Sequence, residues 1–212
     1  MKITKIGHCC MLLEEGGVRL LTDPGIYAEG AVEGRTGITG IVITHDHADH
    51  YHLASLRAVL EKNPDATVVT NGTVGALLDA AGIPYVRVGD GESATIDDLE
   101  IKGFGTEHAL VYGDLGKTEN TGYLIAGKFY FPGDAFEVPG VPVDILALPV
   151  AGPWMKIAEA IDFAKAIAPR VAFGVHDAMV EPGSRGFAGM LIEQFVPGVQ
   201  YVTLADGEAR DF

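Results

Sequence analysis

The chain has 212 residues, of which 48% are hydrophobic and 21% are charged. This composition is typical of one globular domain spanning residues 1–212, and it excludes a disordered or low-complexity chain. The formal net charge of −14 repels phosphate backbones, so we expect a small-molecule substrate and no nucleic acid partner.

The start of the chain alternates apolar and polar residues and lacks the continuous apolar segment of a signal peptide. No apolar stretch approaches the roughly 18 residues that a membrane span needs, so we expect no membrane partner. The only two cysteines, Cys9 and Cys10, are adjacent, and neighbouring residues are poorly placed to form a disulfide. We therefore expect free thiols packed in the core of a cytoplasmic protein.

Period-two alternation at the start of the chain predicts three antiparallel strands, Ile3–Gly7, Cys9–Leu13 and Val18–Thr22. Apolar and β-branched runs between turns predict ten more strands: Ile41–Thr44, Thr67–Thr70, Tyr85–Val88, Ser93–Ile96, Leu99–Phe104, Gly122–Ala126, Lys128–Phe131, Asp144–Leu148, Val171–Val175 and Gln200–Leu204. Helical periodicity that stops near glycine or proline predicts four helices: Leu53–Leu60, Thr73–Ala81, Met155–Ala168 and Arg185–Phe195. We predict an α/β fold in which two sheets of mostly antiparallel strands pack face to face with helices outside, a four-layer αββα sandwich.

The most informative segment is Thr44-His45-Asp46-His47-Ala48-Asp49-His50, directly after a predicted buried strand. His45 and His47 lie two residues apart on extended chain, so both side chains project to one side and can converge on one ion. Asp49 and His50 lie where the backbone turns toward the next helix, which aims them at a second point. The segment therefore predicts two neighbouring metal positions. The alternative is a solvated polar loop with Asp46 or Asp49 as a helix cap, and for Asp46 this alternative is favoured over a hydrogen bond to a ligating imidazole.

Three further candidate ligands, His108, Asp134 and His176, lie just after predicted strands. Two ions need more ligands than the histidine segment supplies, and residues at strand ends are held by a rigid sheet while their loops leave space for a substrate. Taken singly, each is equally consistent with a surface histidine or a turn aspartate. Together with the histidine segment, they predict a metal centre.

These residues resemble the metallo-β-lactamase-fold metal-dependent hydrolases, which are αββα sandwiches with a dinuclear metal site, and the likeness covers nearly the whole chain. The resemblance implies that His45, His47 and His108 bind a first metal ion, that Asp49, His50 and His176 bind a second, and that Asp134 bridges the two. It also implies that Asp23 supports the histidine segment. An ordinary turn aspartate before Pro24 is the alternative for Asp23.

Within this family, the nearest likeness is to small single-domain hydrolases related to ascorbate-6-phosphate lactonase. Three segments carry it: Gly7-His8, Asn120–Ile125 and Leu148–Met155. True β-lactamases usually place Cys or Ser where Asp134 stands, so antibiotic hydrolysis is not implied. The flavin-partnered di-iron branch usually has Glu in place of His47, and the long arm of the tRNA-processing nucleases is absent from this sequence.

The resemblance implies a dinuclear metal-dependent hydrolase that cleaves a small ester, lactone or phosphodiester with a metal-bridging hydroxide as nucleophile. Zn²⁺ is the default for a His and Asp ligand set, and Mn²⁺ or Fe²⁺ accept the same ligands. Asp49 is a candidate catalytic residue, as a proton shuttle as well as a ligand. The alternatives are a nucleic-acid phosphodiesterase and an iron-bound redox enzyme of the same fold.

Three other residues are candidates for positioning the ligands or binding the substrate. His8, at a strand terminus, is either a buried hydrogen-bonded histidine or a substrate contact. Arg185, on a polar loop after His176, is the candidate for gripping an anionic substrate, with a solvated loop arginine as the alternative. Trp154 either lines the substrate cleft or supports the loop beneath it.

Overall fold

A computed structural model describes residues 1–212. Seven strands form the first sheet: β1 (Lys2–Gly7), β2 (Cys10–Glu15), β3 (Val18–Thr22), β4 (Gly40–Ile43), β5 (Thr67–Thr70), β6 (Val86–Arg87) and β14 (Ala209–Asp211). Their order across the sheet is β14-β1-β2-β3-β4-β5-β6. The pairings from β14 to β3 are antiparallel, and those from β3 to β6 are parallel.

Seven other strands form the second sheet: β7 (Ser93–Ile96), β8 (Leu99–Phe104), β9 (Gly122–Ile125), β10 (Phe129–Phe131), β11 (Ile145–Pro149), β12 (Val171–Val175) and β13 (Gln200–Val202). Their order is β13-β12-β11-β10-β9-β8-β7. The pairings from β13 to β10 are parallel, and those from β10 to β7 are antiparallel. Each sheet is therefore half parallel, and the prediction of mostly antiparallel strands is wrong.

Two of the three parallel pairings in each sheet follow from the helices, which are α1 (Leu53–Lys62), α2 (Gly72–Ala81), α3 (Ile157–Ile167) and α4 (Gly186–Phe195). α1 and α2 connect β4, β5 and β6, while α3 and α4 connect β11, β12 and β13. A helical crossover returns the chain to start the next strand in the same direction, so strands joined in this way pair in parallel. Strands joined by short turns, as in the first three, pair antiparallel.

Three apolar layers hold the two sheets and four helices together. A cluster of 23 buried side chains fills the space between the sheets. A second cluster of 15, including Leu56 of α1 and Leu78 of α2, packs the first helix pair on the first sheet. A third of 12, including Phe163 of α3 and Ile192 of α4, packs the other pair on the second sheet. This arrangement confirms the α/β sandwich with helices on both outer sides.

Strand β14 was not predicted. Its sequence is Ala-Arg-Asp and all three residues are exposed, so it has none of the apolar alternation that marks a strand. It forms because its backbone pairs with the free edge of β1, where Ile3 lies opposite Arg210. Tertiary pairing, rather than local propensity, makes this strand. None of the helices has the length and apolar character to cross a membrane.

Both cysteines are free and buried. Burial raises the pKa of the Cys9 and Cys10 thiols above their ordinary value, and a thiol reacts as the thiolate. We expect the disulfide reagent dithiobis(nitrobenzoate) to react with no thiol in the native protein and with two after unfolding in guanidinium chloride. Fast release of thionitrobenzoate from the native protein would contradict this.

Candidate metal centre

The candidate ligands all follow the carboxyl ends of strands. Strands β1, β3 and β4 run in one direction in the first sheet, and β8, β10 and β12 run in one direction in the second. The residues after these ends are His8 after β1, Asp23 after β3, His45 to His50 after β4, His108 after β8, Asp134 after β10 and His176 after β12. The topology therefore collects them at one end of the sandwich, which is where α/β folds place their sites.

The side chains form three groups, each with its ligating atoms within 4.8 Å of one another. The first group is His45, His47 and His108, and the second is His8, Asp49, His50 and His176. These two are the division that the resemblance implies, with His8 in addition. The third group joins the buried Cys9 to His50 and Asp134.

Asp134 lies between the first two groups. Its Oδ2 is 3.4 Å from His108 Nε2 in the first group and 2.9 Å from His176 Nε2 in the second. Its Oδ1 is 3.1 Å from His50 Nε2. Burial alone would raise the pKa of Asp134, but His50, His108 and His176 outweigh burial and hold the pKa well below its ordinary value. The carboxylate is therefore ionised and faces both groups.

Five buried atoms in this cluster have no partner in hydrogen-bond geometry, although Nε2 of His50, His108 and His176 lies within 3.4 Å of Asp134. They are Nε2 of His45, His50, His108 and His176, and Oδ1 of Asp134. An unpartnered buried polar atom costs about 1–3 kcal/mol, so five that converge on one point are unfavourable unless a ligand satisfies them. Imidazole nitrogen and carboxylate oxygen are ligands of Zn²⁺, Mn²⁺ and Fe²⁺. The residues present therefore fit a metal centre.

The other ring nitrogen, Nδ1, of the same four histidines is held by an oxygen atom. His50 Nδ1 donates to Asp23 Oδ2 at 2.6 Å, and His176 Nδ1 donates to the Ala151 carbonyl at 2.6 Å. His108 Nδ1 donates to the Ala109 carbonyl at 2.5 Å. His45 Nδ1 lies 3.0 Å from Thr44 Oγ1, and that hydroxyl gives its own proton to Asp23. These acceptors hold the proton on Nδ1, so Nε2 is the atom that would face a metal. Burial lowers the pKa of His50 and His176, but Asp134 outweighs burial and raises both, that of His176 to about 9. A metal would therefore have to displace the Nε2 proton of these two rings.

Asp23 supports the histidine segment through three hydrogen bonds. Its carboxylate accepts from the Thr44 backbone N–H at 2.8 Å, from Thr44 Oγ1 at 2.7 Å and from His50 Nδ1 at 2.6 Å. Burial raises the pKa of Asp23 above its ordinary value, while these donors oppose the rise. Asp23 thus fixes both the start of the segment and the ring of His50, which is the supporting position that the resemblance implies.

His8 has the opposite tautomer. Its Nδ1 accepts a hydrogen bond from the Ala178 backbone N–H at 3.3 Å, so the ring proton lies on Nε2, which donates to Asp49 Oδ2 at 3.2 Å. Burial lowers the pKa of His8 to about 4, so the ring is neutral at pH 7. Although His8 lies within the second group, its Nε2 carries a proton and has no lone pair for a metal. His8 is a positioning residue for Asp49.

His8→Ala is expected to lower metal affinity or kcat by about 10–100-fold, the usual cost of removing a partner of a ligand. The substitution leaves Asp49 without its donor but removes no ligand. Chelator competition gives the metal affinity, and initial rates give kcat. His52→Ala is the matched control, since His52 caps α1 and bonds Ser55 outside the cluster. Equal behaviour of the two variants would contradict the role given to His8.

Asp134 is held by two residues from different loops. Trp154 Nε1 donates to Asp134 Oδ2 at 2.8 Å. Asn120 accepts from the Asp134 backbone N–H at 3.0 Å and donates to the Pro132 carbonyl at 2.9 Å, so it clamps the turn that carries Asp134. Trp154 also lines the cavity over the cluster, and its contact with a substrate stays a prediction. The role of Asn120 was not predicted.

Two other pairs beside the site were also missed. Lys5 is 1% exposed, and its Nζ lies 2.5 Å from Asp177 Oδ2, which ties the first sheet to the residue after His176. Asp46 accepts a hydrogen bond from Thr118 Oγ1 at 2.7 Å, so it holds the 107–119 loop rather than capping α1. No local signal marks such contacts, because the partners are far apart in the sequence.

The structure does not bring Arg185 to the cluster. Its Nη1 lies 3.0 Å from Asp206 Oδ2 and its Nε lies 3.5 Å from Asp177 Oδ2. It lines a separate cavity of about 560 Å³ with Val150 and Phe187. The interpretation of Arg185 as a grip for an anionic substrate is therefore not supported, since the guanidinium is already paired with Asp177 and Asp206 and does not line the cavity over the cluster.

The sequence matches the family model described as the beta-lactamase superfamily domain over residues 2–176. The chain belongs to the β-lactamase superfamily. It is 40% identical to protein Rv0786c of Mycobacterium tuberculosis over 91% of this chain and 92% of that protein. It is 33% identical to a UPF0173 protein of Pyrococcus furiosus over 83% of each chain. A UPF0173 metal-dependent hydrolase of Alkaliphilus metalliredigens is 29% identical over 83% of this chain and 85% of its own length.

Solved structures share the fold of this superfamily member. Igni18, a metallo hydrolase from Ignicoccus hospitalis, superposes with a TM-score of 0.79 at 23% identity, over 100% of this chain and 98% of its own. CmlA, a diiron β-hydroxylase from Streptomyces venezuelae, gives 0.74 at 18% identity, over 99% of this chain and 53% of its own. These findings confirm the predicted fold and, at the level of the family, a metal-dependent hydrolase.

Proposed function

We propose that this β-lactamase superfamily protein holds two divalent ions and hydrolyses a small ester, lactone or phosphodiester. The observation that carries the proposal is the convergence of five buried atoms without partners, one of them on the ionised Asp134 between two groups of ligands. His45, His47 and His108 would hold one ion, and Asp49, His50 and His176 the other, with Asp134 shared. Zn²⁺ is proposed as the default for imidazole and carboxylate ligands, and Mn²⁺ and Fe²⁺ accept the same set.

A bound pair of divalent ions supplies two effects, polarisation of the scissile bond and a lowered pKa of a coordinated water. The chain supplies the rest. Asp23 and the backbone carbonyls fix the histidine rings, and Trp154 and Asn120 fix Asp134. The cavity of about 360 Å³ above the cluster receives the substrate. Positioning of this kind accounts for a large share of enzymatic rate enhancement.

Asp49 is proposed as the residue that moves a proton. Its side chain is 27% exposed and lines the cavity, whereas that of Asp134 is 3% exposed. Asp49 can therefore reach a substrate leaving group while His8 holds it by Oδ2. A carboxylate in hydrogen-bond reach of the leaving group can act as general acid or base.

The test is a paired panel of lactones and bis-aryl phosphodiesters, offered to protein reconstituted with Zn²⁺ or with Mn²⁺. We expect turnover of one class that EDTA abolishes and added metal restores, with Asp134→Asn inactive in the same assay. No turnover of either class by protein shown to carry metal would contradict the proposal. The alternative of an iron-bound redox enzyme is tested on protein as purified. That alternative requires bound iron and absorption bands in the visible range.

A further inference from the structure

The cavity over the cluster is lined by two kinds of residue. The candidate ligands that line it are here called its floor, and Val111, Leu115, Pro153, Trp154 and Met179 are here called its sides. Its volume of about 360 Å³ lies within the roughly 300–1,000 Å³ usual for small-molecule sites. A substrate whose reacting group meets the floor must therefore place the rest of its atoms against apolar side chains.

None of the eleven residues that line this cavity is Lys or Arg. A phosphate or carboxylate on the non-reacting part of a substrate would find no cationic side chain to pair with there, because the proposed ions would lie at the floor with the reacting group. Burying an anion without a partner is strongly unfavourable, and binding sites for such groups usually supply arginine or lysine. Arg185, predicted as the grip for an anion, is paired with Asp177 and Asp206 and does not line this cavity.

The approach to the cavity is acidic. A larger cavity of about 910 Å³ adjoins it, sharing His47, His108, Leu115 and Gly116. Four carboxylates line that space, Asp46, Glu107, Asp114 and Glu119, and its single cation, Lys117, is paired with Asp114. With a net charge of −14 over the whole chain, the surrounding field repels anions from the entrance.

We propose that the substrate is uncharged and apolar in its non-reacting part, such as a short aliphatic acyl chain or the alkyl group of a lactone, and that it carries no second anionic group. This inference rests on the proposed hydrolase function and names the substrate class. The apolar sides select the chain by burial, and the missing cation together with the acidic approach rejects its charged counterpart.

The first test compares two esters with the same reacting bond and the same chain length, 4-nitrophenyl hexanoate and the 4-nitrophenyl monoester of adipate. We expect kcat/KM of the Zn²⁺-loaded protein to be at least about tenfold higher for the neutral ester, and the ratio to narrow as NaCl is raised because salt screens repulsion. Equal rates, or a preference for the adipate ester, would overturn the inference while leaving the hydrolase function intact.

A charge placed in the cavity side should reverse the preference. Met179 lines the cavity and is 55% exposed, so Met179→Lys adds a cation next to the bound chain and removes no candidate ligand. We expect the neutral-to-anionic ratio to fall several-fold. Met190→Lys is the matched control, since Met190 is 54% exposed on α4 and outside the cavity. The same fall in both variants would mean that net charge, and not the cavity, sets the ratio.

A binding measurement separates the inference from catalysis. Trp154 is the only tryptophan of the chain and lines the cavity, so its fluorescence reports occupation. Metal-free protein is titrated with hexanamide and with adipamate, which differ only in a terminal carboxylate. Weaker binding of adipamate supports the inference even if neither ester is turned over, an outcome that would count against the hydrolase function alone. Tighter binding of adipamate would overturn the inference.

Discussion

Asp134→Asn is expected to lower kcat by more than about 100-fold, a larger loss than the 10–100-fold that follows removal of a ligand's partner. The change keeps the size of the side chain and removes its charge. Asp134 is the one carboxylate that faces His108 in the first group and His50 and His176 in the second. Without that charge, two closely spaced cations have no shared anion between them, and we expect fewer than two ions per chain.

Both parts of this expectation are measurable on one preparation. Metal content by mass spectrometry gives the number of ions per chain, and initial rates with excess Zn²⁺ give kcat. Asp144→Asn is the control, since Asp144 is an exposed carboxylate paired with Arg170 outside the site. Normal activity of Asp134→Asn with two bound ions would show that this carboxylate is not shared between them.

Gly133→Ala is expected to destabilise the protein and to displace Asp134. Gly133 has φ +65, and an added Cβ would lie 2.3 Å from Asn120 Oδ1 and 2.8 Å from Thr44 Cβ. A residue with a Cβ pays about 1–2 kcal/mol for this backbone conformation, and overpacking adds about 1–3 kcal/mol. The atom in the way, Asn120 Oδ1, is the acceptor for the Asp134 backbone N–H, so relief of the clash must move the candidate bridging residue.

Gly140→Ala separates the two costs. Gly140 has φ +66, and nothing lies within 4 Å of its added Cβ, so this variant carries the backbone cost without the clash. We expect Gly133→Ala to melt about 2–10 °C below Gly140→Ala and to bind metal more weakly, while Gly140→Ala keeps wild-type metal content. Matching melting temperatures and metal contents for the two variants would contradict the close packing described for this turn.

The layers of the fold are predictable from the sequence, but the directions of the strands are not, because the alternation of apolar residues does not depend on strand direction. Apolar alternation marks a strand whichever way its neighbour runs, so β4, β5 and β6 were recognised as strands while their parallel pairing was missed. The information lay in the connections, because α1 and α2 intervene between them. The exposed β14 was missed because only its pairing with β1 defines it.

The grouping of the site residues was predictable for a physical reason. The hydrogen bonds that hold these residues in place were mostly not predictable. His108, Asp134 and His176 were singled out because they follow strands, and strand ends meet at one end of the sandwich. Their binding of metal stays a prediction. The tautomer of His8 depends on the Ala178 N–H, which is 170 positions away in the sequence. The position of Arg185 outside the cluster depends in part on Asp206, which is 21 positions away in the sequence.

The central claim is that one chain holds two ions in a site shared by Asp134. The most direct measurement is anomalous diffraction at the zinc absorption edge from crystals of the reconstituted protein. Two peaks are predicted, one among His45, His47 and His108 and the other among Asp49, His50 and His176, with Asp134 between them. A single peak, or a second peak away from these residues, would contradict the claim.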